Sequence, residues 1–589
     1  MLPRRSKVEH TRATSLTGDT NVAVPMRDGT ILRADVYRPS GPGKWPVLLT
    51  RIPYGKHKPR YRTLHLDIVR AAARGYAVVV QDVRGRHASG GEWYPFRFEG
   101  RDGYDTVEWC ASQPWSDGNV GMFGMSYHGA TQWLAAAESP PSLRGIAPGL
   151  TSADLYDSWT YLGGVFGLWW TGHWSAGFVL DNLADTPPEL RDAVAETRKW
   201  AREPLALSSH LPIREMSGLK RVADYYYDWM DHPTYDEYWK KIGAWDRLSN
   251  VRVPALSIGG YYDSFIRGTV RSHGWLKENG STAAAREQQH IVLGPWIHSH
   301  LLPPNAGQRY FGGGASGDGI DYHGMLLAWY DHWLKREENG IEADPRAYYF
   351  TMGDDQWREA ETWPPAARDT AFFLRSGGRA NSRHGDGRLS LDPPKETEPA
   401  DSYLHNPLNP VPTVGGPYVR GIPGFVEAGS IEQTAAETRE DVLVYTSAPM
   451  ERRLEVTGQV RLVLWAATSA RDTDWAATVS VVEPSGASYN VCEGILRASC
   501  RESLESPSPV EPDRAYEYTM DLGPTSIAFQ PGQSVRLRIA SSNFPAFSRN
   551  LGTGGPVHLA SREEALTAVQ TALHDAAHAS RLVLPVVES

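Results

Sequence analysis

Apolar and polar positions change rhythm several times along the chain. Across residues 21–37 ("NVAVPMRDGTILRADVY") they alternate on either side of Asp28-Gly29, which predicts two strands joined by a tight turn. Continuous apolar runs follow at 45–50 ("WPVLLT"), 76–81 ("YAVVVQ") and 120–123, the pattern of strands buried on both faces. Helical patterns at 66–74 and 104–111 separate them, so a parallel sheet covered on both sides is expected. Over residues 155–245 aromatic residues recur at helical spacing and no buried-strand run interrupts them. This stretch reads as an all-helical insertion, a lid. The strand pattern resumes at 253–259 ("VPALSIG") and 290–294 ("HIVLG"), and a helix is expected at 325–336.

Beyond about Asp344 helical periodicity nearly vanishes. Short alternating runs such as "AFFLRS", "DVLVYTS", "LEVTGQVRLVLWAAT" and "SVRLRIASSN" are punctuated by proline and glycine, which predicts a β-sandwich or jelly roll. Residues 376–437 are poor in strands and are expected to form a long ordered loop region. The fold class is therefore an α/β core with an inserted helical cap, plus a C-terminal all-β jelly roll. The division is 1–154 for the first part of the core, 155–245 for the cap, 246–369 for the second part of the core, and 370–589 for the jelly roll.

A chain of 589 residues exceeds the roughly 250–300 residues at which a single core stops growing, in keeping with that division. The net charge of −9, with no long basic run, argues against nucleic acid as a partner. No apolar run reaches the roughly 18 residues of a membrane span, and the N-terminus has no apolar stretch behind its basic residues. With only three cysteines, none in a CxxC pair, this points to the cytoplasm. Cys492 and Cys500 are close enough to pair across a hairpin, but free buried thiols are favoured. No ligand cluster for a metal and no cofactor motif is present. The 21 tryptophans and 27 tyrosines form a surplus, and aromatic residues line pockets for large apolar ligands as well as cores.

One serine stands out. Gly124-Met125-Ser126-Tyr127-His128-Gly129 follows an apolar run and precedes the helix-forming "ATQWLAAAE". Gly-x-Ser-x-x-Gly is a relative of the Gly-x-Ser-x-Gly elbow, in which a sharp strand-to-helix turn exposes a nucleophile. The alternative, a serine capping a helix, leaves the flanking glycines unexplained. A serine nucleophile needs a base and an orienting acid, which in α/β-hydrolases follow it in the order Ser, Asp or Glu, His, after later strands. Asp263 follows "VPALSIG" and His298 follows "HIVLG". His300 could exchange roles with His298, which is favoured. Asp154 is the rival acid, and Asp263 has an alternative reading as a helix cap. His128 and His290 read as packing residues. For the oxyanion, the backbone N–H of Tyr127 is one donor. The loop "RIPYGKH" carries no glycine run, and Tyr54 in it reads equally as a phenolic donor or as a turn aromatic.

The segments "RIPYGKH", "DVRGRHASGGEW", "GMFGMSYHGATQW", "GGYYDSFIRGT", "LGPWIHSH", "VLVYTSAPMERRLEVTGQV" and "SSNFPAFSRN" closely resemble the cocaine esterase / X-Pro dipeptidyl-peptidase (S15) family, in family order and over nearly the whole chain. The resemblance implies an α/β-hydrolase core, a helical cap and a jelly roll. It implies Ser126 as nucleophile, His298 as base, Asp263 as orienting acid, and Tyr54 as the donor beside the Tyr127 N–H. It is compatible with a homodimer and implies a small-molecule ester or amide substrate.

Within the cap, Trp159, Phe166, Trp169, Trp170 and Trp174 are candidates for an apolar acyl pocket, and Phe265 joins them from the loop that carries Asp263. Asp154, Asp157, Asp181 and Asp228 are candidates, by location only, for a carboxylate that binds a substrate amine. The expected reaction is hydrolysis of a carboxylic ester with a bulky hydrophobic or aromatic acyl group, through a serine acyl-enzyme. Alternatives are an amidase, or an X-Pro or amino-acyl peptidase, using the same residues, and a non-catalytic scaffold or carbohydrate-binding protein.

Overall fold

The computed structural model describes residues 15–181, 187–203, 208–418 and 426–588. Residues 1–14, read above for a leader, lie outside the described residues. So do 182–186 and 204–207 of the helical insertion and 419–425 of the strand-poor region.

Ten strands form one sheet: β1 (Leu16–Pro25), β2 (Ile31–Pro39), β3 (Trp45–Ile52), β4 (Ala77–Asp82), β5 (Ser116–Met125), β6 (Leu143–Gly149), β7 (Ala255–Tyr262), β8 (Gln289–Ile297), β9 (Ala347–Thr351) and β10 (Gln356–Ala360). Their spatial order is β1-β2-β4-β3-β5-β6-β7-β8-β9-β10. The hairpin around Asp28-Gly29 forms the antiparallel entry, strands β4 to β9 are mutually parallel, and β10 returns antiparallel. Every residue of β4 and β7 is buried, as their unbroken apolar runs require. Helices α1 (Ile68–Ala73), α2 (Glu99–Ser112) and α3 (Tyr127–Ala137) connect the first strands.

The insertion between β6 and β7 is helical, with α4 (Leu168–Asp181), α5 (Arg191–Arg202) and α6 (Asp224–Asp231) as its longest helices, and with one departure from expectation. Tyr161–Leu162 pairs antiparallel with Val165–Phe166 around Gly163-Gly164. Two-residue strands are too short to show a period of two, which is why the pattern missed them. The glycines are required here: a Cβ on Gly163 would lie 2.2 Å from the Ile495 carbonyl oxygen, and one on Gly164 would lie 2.4 Å from Cys500 Sγ. The hairpin is thus wedged against the C-terminal domain.

That domain is an all-β jelly roll whose strands run from Arg368–Arg375 to Arg581–Val586. Its longest pair, Leu454–Thr468 with Tyr516–Phe529, is antiparallel, and Leu462, Leu464, Trp475, Tyr518 and Leu537 fill its core. The 376–437 region holds more strand than its sequence suggests, namely Arg388–Ser390 and Asp401–His405. The second alternates buried and exposed, but its first buried residue is an aspartate, which disguises the period. All three cysteines are free and buried.

Asp401 belongs to a buried charge cluster. The His574 ring is fully buried, with Nε2 2.9 Å from Asp401 Oδ2 and Nδ1 3.3 Å from Glu398 Oε2. The Tyr445 hydroxyl (2.7 Å), the Ser376 hydroxyl (2.7 Å) and the Ala380 N–H (2.8 Å) also donate to Asp401. Burial alone would lower the His574 pKa, but the hydrogen bond and charge of Asp401, aided by Glu398, outweigh it and raise it above 6.5. Burial would likewise raise the two acids, but His574 and the other donors to Asp401, with Arg375 on Glu398, hold them below 3.8 and 4.5 respectively.

The signs define a window. The acids contribute fully above about pH 4.5, and their contribution is lost as the pH falls through their lowered values. The histidine contributes fully below about pH 6.5, and its contribution is lost as the pH rises through its raised value. Urea unfolding followed from pH 5 to 9 should show stability falling above the histidine's ordinary range. Asp401→Asn should cost about 3–5 kcal/mol, the typical penalty for orphaning a buried partner, and should flatten that dependence. An unchanged profile in the variant would remove the cluster from any role in stability.

Candidate active site

Ser126 sits where β5 turns into α3, with φ 63° and ψ −130°, a backbone conformation that L-residues rarely adopt and that costs about 1–3 kcal/mol. Three buried contacts hold it. The Ser126 N–H donates to Gly149 O on β6 (2.8 Å), and the Ser126 carbonyl accepts from Gly129 N–H (2.8 Å) and Ala130 N–H (3.0 Å). Gln132 on α3 ties the turn to the sheet by donating to Gly124 O (2.9 Å) and accepting from Ala147 N–H (2.9 Å). The small residues follow from the crowding. Gly124 has φ 129°, and a Cβ there would lie 2.6 Å from His128 Cβ, while one on Gly129 would lie 2.5 Å from Thr151 Cγ2.

Strand register brings the distant partners together. β7 and β8 are parallel, with Tyr262 opposite Ile297, so the next residues, Asp263 and His298, leave adjacent strands at one level. His298 Nδ1 lies 2.6 Å from Asp263 Oδ1, and His298 Nε2 lies 3.0 Å from Ser126 Oγ. Asp263 is wholly buried and Ser126 is 7% exposed. The rivals are committed elsewhere. Asp154 accepts from the Tyr156 and Asp157 N–H groups (2.9 and 3.0 Å), and Asp154 and Asp157 share Arg271. His300 packs tilted against His65, ring centroids 4.7 Å apart. His128 is buried with Nδ1 3.1 Å from Thr50 Oγ1, and His290 lies against Arg346. Phe265, rather than Asp263, occupies the cap position of the helix Ile266–Asn279.

Tyr54 follows β3, the neighbour of β5, and its ring stacks on His128 at 5.8 Å. Burial pushes the imidazoles of His65 and His128 well below 6.5, so the ring that Tyr54 stacks on is neutral. Trp174 Nε1–H donates to the Tyr54 hydroxyl (3.3 Å). The Tyr127 side chain turns into the core, donating to Glu99 (2.8 Å) and accepting from the Phe96 N–H (3.0 Å). Its own N–H opens α3, where the first amides have no intrahelical acceptor.

An aromatic wall adjoins His298. Phe265 meets the imidazole edge-on (5.1 Å), Trp159 stacks on Phe265 (4.1 Å, 18°), and Trp170 donates to the Trp159 carbonyl (2.7 Å). Phe166 and Trp169 are not part of this wall. Phe166 packs on Tyr161 and Tyr226, and Trp169 packs with Tyr418, Val426 and Ala546. Phe96, which the sequence reading did not single out, packs against Trp159 (5.1 Å) and Tyr127 (4.7 Å). Its φ of 68° places it on an irregular turn, where no periodicity could flag it. The remaining carboxylates proposed for an amine are also engaged. Asp181 holds Lys58 (2.5 Å), and Asp228 accepts from the Tyr94 hydroxyl (2.6 Å). Among the described residues no His, Cys, Asp and Glu group could hold a metal ion, and no helix is long and apolar enough to cross a membrane.

Residues 28–300 match the model of the X-Pro dipeptidyl-peptidase (S15) family, and residues 339–583 match that of the X-Pro dipeptidyl-peptidase C-terminal non-catalytic domain. The chain is 37% identical over 578 residues to the cocaine esterase of Rhodococcus sp. (strain MB1 Bresler), covering 97% of this chain and 98% of that protein. Its fold is that of an aminopeptidase from a marine sediment Thaumarchaeota archaeon (TM-score 0.81, 23% identity, 98% and 97% of the two chains). It is also that of an α-amino acid ester hydrolase (TM-score 0.79, 22% identity, 99% and 100%). With the strand order, the elbow and near full-length similarity in agreement, the chain belongs to the cocaine esterase / X-Pro dipeptidyl-peptidase (S15) family of α/β-hydrolases.

Proposed function

We propose that Ser126, His298 and Asp263 carry out the hydrolysis of carboxylic esters, with Tyr54 and the Tyr127 N–H as the oxyanion hole. The observation that carries this reading is the unbroken line from Ser126 Oγ through both ring nitrogens of His298 to buried Asp263, at 3.0 and 2.6 Å. With the imidazole proton on Nδ1, Nε2 accepts the Ser126 proton as Oγ attacks the ester carbonyl. Asp263 stabilises the imidazolium that results. The carbonyl oxygen, now negative, takes hydrogen bonds from Tyr54 and Tyr127 N–H. Collapse of the tetrahedral intermediate breaks the bond to the leaving alkoxide, which takes the proton from His298 Nε2. Water, deprotonated by the same nitrogen, then releases the acid and returns the proton to Ser126.

The acyl group we assign is bulky and hydrophobic, with aromatic groups favoured. Phe265, Trp159 and Trp170 stand beside the base, and Trp174 and Phe96 extend the same aromatic cluster. The nearby carboxylates already have partners, so an ammonium-bearing substrate would have to break an existing pair. We also read residues 1–154 and 246–369 as one core, 155–245 as the cap and 370–589 as the jelly roll. The three buried thiols suit a reducing compartment, which supports the cytoplasm as its location.

Three measurements follow. Incubation with a small fluorophosphonate should add one adduct by intact mass, absent from Ser126→Ala; an adduct retained by the variant would assign another nucleophile. Tyr54→Phe should lower kcat by roughly 100- to 1,000-fold with little change in KM, the usual cost of one oxyanion donor. Turnover of a p-nitrophenyl ester of an aromatic acid should exceed that of Gly-Pro and amino-acid anilides, and the reverse order would make the chain a peptidase.

A further inference from the structure

A cavity of about 640 Å³ lies between the cap and the jelly roll, and none of Ser126, Asp263, His298 or Tyr54 lines it. Its volume is that of a site for a small organic ligand, typically about 300–1,000 Å³. Tyr161, Phe166 and Met230 form the cap wall, and Val510 and Val557 face them from the jelly roll. Phe166, which the acyl pocket leaves aside, therefore has a place in a second hollow.

The polar groups of the cavity are unequal in charge. Arg471 is exposed at its edge and makes no ion pair among the described residues. Arg497 is held by Asp474 (3.0 Å). The one carboxylate among the lining residues, Asp472, is occupied by Ser499 N–H (3.0 Å), the Ser499 hydroxyl (3.2 Å) and Asn550 (3.1 Å). Burial lowers the His558 pKa, which leaves that ring neutral at neutral pH. Inside, Ser548 is only 4% exposed and its hydroxyl has no hydrogen-bond partner. A buried polar group left in that state typically costs about 1–3 kcal/mol.

We propose that this cavity is an accessory binding site for an organic carboxylate with a bulky apolar body. Its charged head lies at Arg471 and its body rests on the Tyr161–Phe166 wall. Such an acid is either one released by ester hydrolysis or an alkyl fatty acid, since both share the chemistry that the cavity recognises. The site does not depend on the assignment of Ser126, so it is tested by binding rather than by turnover.

The probe is 8-anilinonaphthalene-1-sulfonate, titrated by fluorescence into the full-length chain and displaced with 4-phenylbenzoate in one arm and decanoate in the other. One saturable site is expected, with displacement by at least one acid; preference for the aryl acid names the hydrolytic source, and preference for decanoate the alkyl one. Arg471→Glu should weaken the probe by tenfold or more. So should Gly555→Trp, which fills the cavity from a position where an added Cβ meets nothing nearer than 3.7 Å. Ester turnover should be unchanged in both variants. Equal probe affinity in wild type and both variants, or no displacement by either acid, would overturn the proposal.

Discussion

The backbone of Ser126 is the constraint on which the rest of the site depends. A serine at φ 63° and ψ −130° is unstable by itself, and neighbours that over-determine it keep it there. The Gly149 carbonyl fixes its amide, Gln132 ties the turn to β6, and Gly124 and Gly129 let His128 and Thr151 approach closer than any Cβ permits. The turn sets Oγ 3.0 Å from His298 Nε2, and the Tyr127 N–H opens α3 at the helix end that favours a negative charge. A relaxed turn would move the hydroxyl and leave His298 Nε2 without its contact to Ser126 Oγ.

The second requirement is that two loops, 35 residues apart in sequence, stay at one height above the sheet. Parallel pairing of β7 and β8 sets that height, and the jelly roll secures it from outside. Ser264 donates to Pro417 O (2.7 Å), Tyr262 to Asn490 O (3.1 Å), and Arg267 to the Glu493 carbonyl. The residues that flank Asp263 are therefore fastened to the C-terminal domain, so this domain supports the site without supplying any of the three polar groups in it. The aromatic surplus acts in the same way. Trp159 and Phe265 shield the His298–Asp263 pair on one side, and in a dry, low-dielectric setting their hydrogen bond is stronger than it would be in water.

Much of this was legible in the sequence because the chemistry sits at strand ends, and strand ends are marked by apolar runs that stop abruptly. Ser126, Asp263 and His298 each follow such a run, so order and placement favour them over His300 and Asp154, and His298 lies within hydrogen-bond distance of the other two. Side-chain direction is a different matter. Phe166, Trp169 and Trp170 lie within five residues of one another, yet only Trp170 joins the aromatic wall, because a helix start and a two-residue strand rotate them to different faces. Phe96 comes from an irregular turn with no period at all. The strand 401–405 was hidden because a buried aspartate takes the position where an apolar residue would show the alternation.

Asp401 also marks a contrast that sharpens the functional reading. The molecule holds a second serine, histidine and acid in hydrogen-bonding distance, with Ser376 Oγ 3.1 Å from His574 Nε2 and His574 Nδ1 3.3 Å from Glu398. By distance alone it resembles the arrangement at Ser126. The difference is electrostatic. Asp401 sits 2.9 Å from the same Nε2 that would have to act as base, so both ring nitrogens face carboxylates and the charged imidazolium is favoured. A ring biased toward its charged form is less ready to take a serine proton, and the Ser376 hydroxyl is already given to Asp401. At His298 only Nδ1 meets a carboxylate, and Nε2 faces Ser126 Oγ at 3.0 Å. One carboxylate leaves the second ring nitrogen to the serine, whereas two carboxylates favour the charged ring, and that difference in partners separates the arrangement at Ser126 from the buried latch at Ser376.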